Sequence, residues 1–223
     1  MIALIDYKAG NLTSVKKALA AIGAAVFIPD TPVDLAAAAG IIVPGVGHFG
    51  VTRALDQPWI DAILAHVKDG RPLFGICLGM QWLFEGSEEA PELRGLGLLS
   101  GRCYRLPPVR LKPDSTEIAD ARSGSVRLQA DRVVKVPHVG WNSLTIRREG
   151  GLLDGVSTCS QVYFTHSYVA PETVDTSAST DHGDTFAAVV QRGHIGGVQF
   201  HPEKSGEVGL RILRNFVELT RAV

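Results

Sequence analysis

The chain has 223 residues, of which 45% are hydrophobic and 20% are charged, and its formal net charge is -1 at pH 7. This length can bury the core of one full domain, and the composition is ordinary for a globular protein. The near-neutral charge argues against nucleic acid or an anionic membrane as a partner. A charge at Asp6 comes too early for a signal peptide, and no apolar run could span a bilayer, so we expect a cytoplasmic location.

The cysteines are few, odd in number and widely spaced, at Cys77, Cys103 and Cys159. Such spacing argues against a disulfide framework and against a zinc site, and it is typical of a reducing compartment. We therefore expect no metal and no cofactor. We expect Cys103 and Cys159 to be inert thiols in the core.

The first half of the chain alternates short apolar segments with segments of helical spacing. A helix capped by Asn11 is closed by Gly23, a second covers 50–67 with an interruption at Pro58, and a third covers 78–84. Because strands that alternate with helices form parallel sheets, this half predicts an open α/β sheet flanked by helices. The predicted strands are residues 2–5, 25–28, 41–43 and 73–76.

From Leu96 onward, short strands separated by turns predict added strands, some of them antiparallel. Residues 107–131 are polar and predict a surface insertion, either a long loop or a loose hairpin, and residues 173–184 predict a second loop. An amphipathic helix capped by Ser205 is predicted over 207–223. We expect one domain over 1–223. The predicted added strands are residues 98–106, 133–136, 143–146, 161–169, 186–191 and 195–200.

Cys77 lies within Gly75-Ile76-Cys77-Leu78-Gly79, directly after an apolar segment. A sharp turn from strand to helix around a nucleophile needs small residues on both sides. The turn places the sulfur at a helix N-terminus, where the dipole favours the thiolate, and the amide of Leu78 then points toward a developing oxyanion. The alternative is a buried structural cysteine in a tight turn.

Far downstream, His201-Pro202-Glu203 follows another apolar segment. Residues two apart in an extended chain point to the same side, so Glu203 would orient the ring of His201. Pro202 cannot donate to a strand ladder, which places the segment at a strand end, where sites of open α/β sheets collect. Taken alone, the segment could equally be a surface turn. Together with Cys77 it predicts acyl transfer through a thioester.

Pro44-Gly45-Val46-Gly47 follows the third predicted strand. The paired glycines allow the backbone to turn an N–H group toward a ligand. Val46 or Gly47 would then supply a second oxyanion donor beside Leu78. The alternative is an ordinary turn between a strand and a helix.

The residues Gly-Ile-Cys-Leu-Gly-Met-Gln at 75–81, together with His201-Pro202-Glu203, resemble the class I, triad-type glutamine amidotransferases. Nearly the whole chain further resembles the glutaminase subunits of imidazole glycerol phosphate synthase, an enzyme of histidine biosynthesis. The Gly-Trp-Asn block at 140–142 and Glu-Lys-Ser at 203–205 are more specific to them than the turn at Cys77. The segments that carry this second resemblance are 6–12, 44–50, 137–142, 163–168 and 201–205.

The resemblance implies that Cys77 attacks the side-chain amide of glutamine, that His201 moves protons and that Glu203 orients His201. Water then hydrolyses the thioester to glutamate. The ammonia passes to a (β/α)8-barrel cyclase subunit in a heterodimer. There it reacts with a phosphoribulosyl-formimino intermediate to give imidazole glycerol phosphate and an aminoimidazole carboxamide ribotide.

The resemblance also implies roles for residues outside the triad. The Val46 peptide matches a loop whose orientation is switched when the partner binds its ligand. His166 and Tyr168 could instead be packing residues, Lys204 a solvated lysine and Trp141 either a core residue or an interface anchor. The residues matching glutamine-binding positions are Gly47, Gln81, His166, Ser167 and Tyr168, and those matching the partner interface are Asn11, Tyr163 and Lys204.

Three rival hypotheses remain open on the sequence. The first is the glutaminase subunit of another amidotransferase, in the chorismate or pyridoxal-phosphate pathway, which would lack the Gly-Trp-Asn and Glu-Lys-Ser blocks. The second is a non-catalytic binding relative that retained the fold, which the intact Cys77, His201 and Glu203 argue against. The third is a cysteine hydrolase that acts alone and needs no partner.

Overall fold

The computed structural model describes residues 1–111 and 132–221. These residues form fifteen strands and four α-helices. The helices are α1 Leu12–Ala21, α2 Gln57–Lys68, α3 Leu78–Trp82 and α4 Gly206–Leu219. The strands are β1 Ile2–Leu4, β2 Val26–Phe27, β3 Gly40–Val43, β4 Leu73–Ile76, β5 Gly86–Ser87, β6 Arg102–Arg105, β7 Val109–Leu111, β8 Arg132–Val134, β9 His138–Ser143, β10 Thr145–Ile146, β11 Gln161–His166, β12 Tyr168–Val169, β13 Thr176–Asp181, β14 Thr185–Arg192 and β15 Ile195–Val198.

The main sheet has eight strands in the order β10-β13-β14-β15-β4-β3-β1-β2. Strands β2, β1, β3, β4 and β15 are parallel to their neighbours, whereas β15, β14, β13 and β10 pair in antiparallel fashion. This confirms the predicted α/β class, with a parallel first half and antiparallel strands added by the second half. Smaller sheets pair β9 with β11, β5 with β6 and β12, and β7 with β8.

Two hydrophobic clusters cover the two faces of the sheet, because successive side chains of a strand point to opposite faces. Ile42 and Phe74 lie on the face covered by α1 and α4, where the Phe74 and Phe216 rings stack at 5.0 Å. Ile41 and Leu73 lie on the other face, with α2. Every residue of β3 and β4 is buried. This explains why neither strand shows an alternating pattern in the sequence.

The predicted helix over 50–67 is in two pieces. A 3-10 helix covers Phe49–Ala54, and α2 begins after Asp56, whose carboxylate accepts a hydrogen bond from Trp59 N at 3.4 Å. Pro58 lies in the first turn of α2, where a helix needs no N–H donor. The interruption therefore falls before Pro58 rather than at it.

The prediction of a loop over 173–184 is wrong, because β13 runs from Thr176 to Asp181 inside the main sheet. Its first five residues are buried, and its hydroxyls are paired. Thr180 Oγ1 donates to the Ser143 carbonyl at 2.7 Å, and Ser179 Oγ accepts from Arg147 at 3.0 Å. Small hydroxyl side chains with such partners can fill a central strand that their polarity alone would exclude.

The predictions that Cys103 and Cys159 lie in the core have different outcomes. Cys103 is buried, as expected, and burial raises the pKa of its thiol, whereas Cys159 is exposed, so its predicted place in the core is wrong.

Of the predicted surface insertion, 112–131 lies outside the described residues, but β7 and β8 on either side of it pair with each other. Within the described residues, no helix is both long and apolar enough to cross a membrane.

A buried histidine in α2 makes the stability of the fold depend on pH. His66 is fully buried, with Nε2 3.1 Å from the Pro72 carbonyl oxygen, and burial lowers the pKa of His66 from 6.5 to about 4. The unfolded chain takes up a proton below pH 6.5 while the folded chain does not, so the free energy of unfolding falls as the pH drops toward 4. His66→Gln keeps a donor for Pro72 and removes this titration. In urea unfolding, we expect the free energy of unfolding of His66→Gln to fall less steeply from pH 6.5 toward pH 4 than that of the unchanged protein. Equal slopes of this free energy against pH would contradict the explanation.

Candidate active site

Cys77 lies in the sharp turn between β4 and α3. Its backbone has φ +51° and ψ -106°, which is a costly conformation for a residue with a side chain. Its N–H donates to the Val198 carbonyl at 2.8 Å, which ties the turn to β15. A Cβ atom at Gly79 would clash with the Val43 carbonyl oxygen, and one at Gly75 would lie 2.5 Å from Gly79 backbone atoms. The turn therefore requires both glycines, as the sequence predicts.

His201 and Glu203 form a buried pair just after β15. His201 Nδ1 lies 2.8 Å from Glu203 Oε1, and each side chain is 2% exposed. The segment is a 3-10 turn over Pro202–Lys204 rather than the extended chain expected from the sequence. The turn still brings the two side chains together, and it leaves His201 Nε2 without a hydrogen bond to any described residue.

Ser205 fixes the backbone of this segment. Its hydroxyl donates to the His201 carbonyl at 2.6 Å and accepts from Tyr163 N at 3.0 Å. The N–H of His201 in turn donates to the Tyr163 carbonyl at 2.9 Å. Ser205 stands at the N-cap position of α4, but its side chain makes no capping bond, so the predicted cap is wrong. The hydroxyl instead holds His201 in place against β11.

The electrostatics of the pair favour a protonated imidazole. Burial alone would lower the pKa of His201, but the adjacent Cys77 and Glu203 outweigh burial and raise this pKa well above 6.5. Both neighbours act by favouring a positive charge on the ring. A protonated ring beside Cys77 stabilises a thiolate there and holds a proton for a leaving group.

A cavity of about 210 Å³ opens beside the Cys77 sulfur. It brings together six of the predicted residues with Cys77, and it adds three that the sequence did not single out. The predicted members are Gly47, Leu78, Gln81, His166, Ser167 and Tyr168, and the added ones are Glu89, Pro137 and Thr165. Of the predicted oxyanion residues, only Val46 is not part of this lining.

A glutamine that the sequence did not single out as functional reaches the nucleophile. Gln199 is fully buried, and its Nε2 donates to Cys77 Sγ at 3.6 Å. Its Oε1 accepts from Gln81 Nε2 at 3.1 Å, and the same Gln81 nitrogen lies 2.8 Å from the Tyr168 carbonyl. Gln81 thus connects Gln199, which contacts the thiol, to Tyr168 of β12, which lines the cavity. The only sequence signal for Gln199 was its place directly before Phe200 and His201.

The Leu78 N–H, which was predicted to bind the oxyanion, is hydrogen-bonded to a backbone carbonyl in this structure. Its N–H donates to the Gly45 carbonyl at 3.4 Å, across the gap between the loop at 44–47 and α3. Gly47 in the same loop has φ +99°, and Val46 is 41% exposed. The loop lies beside the nucleophile as expected, but here a protein carbonyl occupies the Leu78 donor predicted to hold an oxyanion.

His166 belongs to a buried histidine cluster behind the cavity. His138 Nδ1 lies 3.2 Å from His166 Nε2, and the His138 ring stacks on His182 with centroids 3.9 Å apart. Burial, followed by the charge of His182, lowers the pKa of His138 to about 3, and burial, followed by His138, lowers that of His166 well below 6.5. The rings of His138 and His166 are therefore neutral near neutral pH. His166 can offer the cavity a polar surface but no charge.

Two of the residues predicted to face a partner, Tyr163 and Lys204, form a cluster with Trp141, which we call the exposed aromatic cluster. Trp141 is 56% exposed and packs edge-on against Tyr163, with centroids 6.0 Å apart. Lys204 Nζ lies 5.6 Å from the centre of the Tyr163 ring. Asn11 is exposed at the start of α1, where its Oδ1 accepts a hydrogen bond from Ser14 N at 3.2 Å.

The mixed sheet, the cysteine in a left-handed turn and the buried His–Glu pair agree with the class I glutamine amidotransferases that the sequence resembles. A family model described as glutamine amidotransferase class-I matches residues 3–219. A solved structure described as a glutamine amidotransferase superimposes with a TM-score of 0.70 at 18% identity, covering 99% of this chain and 100% of the other. At that identity the likeness shows the fold alone.

Two relatives carry the comparison further. Both are named imidazole glycerol phosphate synthase subunit HisH. That of Methanothermobacter thermautotrophicus is 41% identical over 223 residues and covers 100% of both chains. That of Moorella thermoacetica is 43% identical over 224 residues, covering 99% of this chain and 95% of the relative. The chain therefore belongs to the class-I glutamine amidotransferase family and, within it, to the HisH subunits.

Proposed function

We propose that Cys77, His201 and Glu203 carry the glutaminase reaction of this subunit, in which glutamine is hydrolysed to glutamate and ammonia. The observation that carries the proposal is the buried pair of His201 and Glu203, 2.8 Å apart, beside a cysteine in a left-handed turn. This arrangement combines a nucleophile, a proton carrier and a group that orients the carrier.

The first half of the reaction forms a thioester. The Cys77 thiolate attacks the amide carbon of the glutamine side chain, and the carbonyl π electrons move onto oxygen to give an oxyanion. The oxyanion then collapses, the C–N bond breaks, and His201 Nε2 gives its proton to the departing nitrogen, which leaves as ammonia. The pKa of His201, raised by Cys77 and Glu203, means that the ring holds this proton before the reaction starts.

The second half returns the enzyme to its starting state. The neutral His201 takes a proton from a water molecule, whose oxygen attacks the thioester carbon. When this second oxyanion collapses, the C–S bond breaks and Cys77 leaves as a thiolate beside the protonated ring. The product is formed as the γ-carboxylic acid, which loses its proton to water or to the released ammonia and leaves as glutamate.

We propose that the cavity beside Cys77 holds the glutamine, with Gly47, Gln81, His166, Ser167 and Tyr168 as its contacts. The structure adds Glu89, whose carboxylate is half-buried at the cavity and accepts from Phe49 N at 2.6 Å. A carboxylate in this place suits the α-ammonium group of an amino acid. Val46, Gly47 and Leu78 are proposed to hold the oxyanion, with the Val46 peptide switched by the partner's ligand.

We propose that the chain acts in a heterodimer with a (β/α)8-barrel cyclase, as the word subunit in the relatives' name suggests. Ammonia would pass to that partner, which would form imidazole glycerol phosphate and an aminoimidazole carboxamide ribotide. The exposed aromatic cluster supports the proposal, because an exposed tryptophan packed on a half-buried tyrosine is typical of interface centres. Asn11 is proposed to lie at the same interface.

We further propose that the chain forms one domain over 1–223, with 107–131 as a surface insertion. The pairing of β7 with β8 supports an insertion that leaves and returns at one place. A cytoplasmic location is proposed because the three cysteines of the chain, all within its described parts, are free.

Glutamate release from glutamine tests the proposed function directly. We expect slow release by the chain alone and strong stimulation by the cyclase and its ribotide ligand. Trp141→Ala should weaken the stimulation by weakening partner binding, whereas Val174→Ala, at a site 89% exposed and outside the cluster, should not. High release by the chain alone, unchanged by the partner, would contradict the coupled subunit and favour a lone amidase.

A further inference from the structure

A tyrosine next to the active site has a hydroxyl that bonds to no described residue. Tyr7 follows β1, is 5% exposed, and its Oη is buried without a hydrogen bond to any described residue. Buried hydroxyls in folded proteins are nearly always paired, because an unpaired one loses its bonds to water for nothing. A hydroxyl at this place is available to donate to a neighbouring backbone group that turns toward it.

This hydroxyl lies close to the backbone of Gly45. A Cβ atom at residue 45 would clash with Tyr7 Oη, and it would lie 2.8 Å from Leu78 Cβ and 3.1 Å from Gly79 N. Gly45 is thus held between the tyrosine on one side and the first turn of α3 on the other. Burial, followed by the charge of Cys77, raises the pKa of Tyr7, so its hydroxyl keeps its proton and remains a donor.

The Gly45 carbonyl is bonded to a backbone donor, while the Tyr7 hydroxyl lies close to the same residue. The carbonyl accepts from the Leu78 N–H at 3.4 Å, longer than the usual 2.9–3.0 Å of a backbone bond. The same N–H is the proposed donor to the oxyanion that forms on Cys77. For Leu78 to bind the oxyanion, the Gly45 carbonyl must turn away, and a carbonyl at this buried residue then needs another donor.

We propose that Tyr7 is a positioning residue, whose hydroxyl donates to the Gly45 carbonyl when that carbonyl turns away from Leu78. The hydrogen bond to Tyr7 replaces the one to Leu78 and so stabilises the state in which the Leu78 amide is available to the oxyanion. The loop after β1 also packs along this segment, since a Cβ at Gly10 would lie 3.7 Å from Gly45 and Pro44 atoms. This inference rests on the proposed function and deepens it.

Tyr7→Phe in the complex with the cyclase and its ligand tests the inference. The variant keeps the ring and removes the donor. We expect kcat for glutamate release to fall about tenfold, which corresponds to the loss of one net hydrogen bond, with KM for glutamine unchanged. Alkylation of Cys77 by iodoacetamide should keep its rate, because displacement at a saturated carbon forms no oxyanion.

The matched control is Tyr104→Phe, which removes a hydroxyl bonded to Asp184 at 2.9 Å, away from the cavity. It should leave both kcat and alkylation unchanged. An unchanged kcat in Tyr7→Phe would overturn the inference. An equal fall in kcat and in the alkylation rate would also overturn it, because it would show that Tyr7 affects the reactivity of Cys77 and not the oxyanion. If the unchanged complex released no glutamate, the proposed function would fail together with the inference, and that result does not depend on residue 7.

Discussion

Cys77→Ala is expected to abolish glutamate release from glutamine, by at least about 10⁴-fold, because removing the nucleophile of a triad leaves only weak residual catalysis. Cys77→Ser should be nearly as inactive, since a hydroxyl is a far poorer nucleophile than a thiolate beside a protonated ring. The fold should persist, because alanine and serine are smaller than cysteine and the turn is held by Gly75 and Gly79. Glutamate release measures the activity of both variants, and thermal unfolding and partner binding measure whether the fold persists.

Cys159→Ala is the matched control for this experiment. Cys159 is a free thiol that also has a positive φ, +69°, but it is exposed and does not line the cavity. Its replacement should leave glutamate release unchanged while removing one reactive thiol. Turnover retained in Cys77→Ala, or lost in Cys159→Ala, would show that the thioester chemistry has been placed on the wrong cysteine.

The parallel half of the fold was predictable because its signals are local. Ile41, Ile42 and Val43 form an unbroken apolar run, and such a run is typical of a strand that is buried on both faces. The error over 173–184 has the opposite cause. The strand β13 consists of small polar residues, and it is held by pairing with β10 and β14 and by partners at Ser143, Arg147 and Arg148, some thirty residues earlier. Local composition carries no information about such partners.

The same distinction applies to the site. The turn at Cys77 and the pairing of His201 with Glu203 arise from local patterns, so both could be anticipated, although the 3-10 turn that makes the pair could not. Gln199 reaches Cys77 across 122 residues of chain, and Glu89 reaches Phe49 N across 40 residues. A buried glutamine and a half-buried glutamate have no distinctive neighbours in the sequence. Their places follow only from the order of strands in the sheet, which brings β15 beside β4.

His201→Ala is expected to lower glutamate release by about 10²- to 10⁴-fold, because the reaction loses the group that gives a proton to the departing nitrogen and later takes one from water. Glu203→Gln should cost less. An amide oxygen can still accept from His201 Nδ1, so the ring keeps its orientation and loses only a neighbouring negative charge. Glutamate release across a range of pH, with partner and ligand present, measures both variants. His194→Gln, whose ring bonds to the Val67 carbonyl at 2.9 Å, is a histidine control outside the cavity.

The pH profile separates the two roles, because the sign of the effect follows from the charge on Glu203. That charge helps to raise the pKa of His201, so removing it lowers this pKa toward its ordinary value. The protonated ring then disappears at a lower pH, and the alkaline limb of the activity profile should move to lower pH in Glu203→Gln. A profile that stays in place, or a loss in Glu203→Gln as large as in His201→Ala, would contradict an orienting carboxylate and would place Glu203 in proton transfer itself.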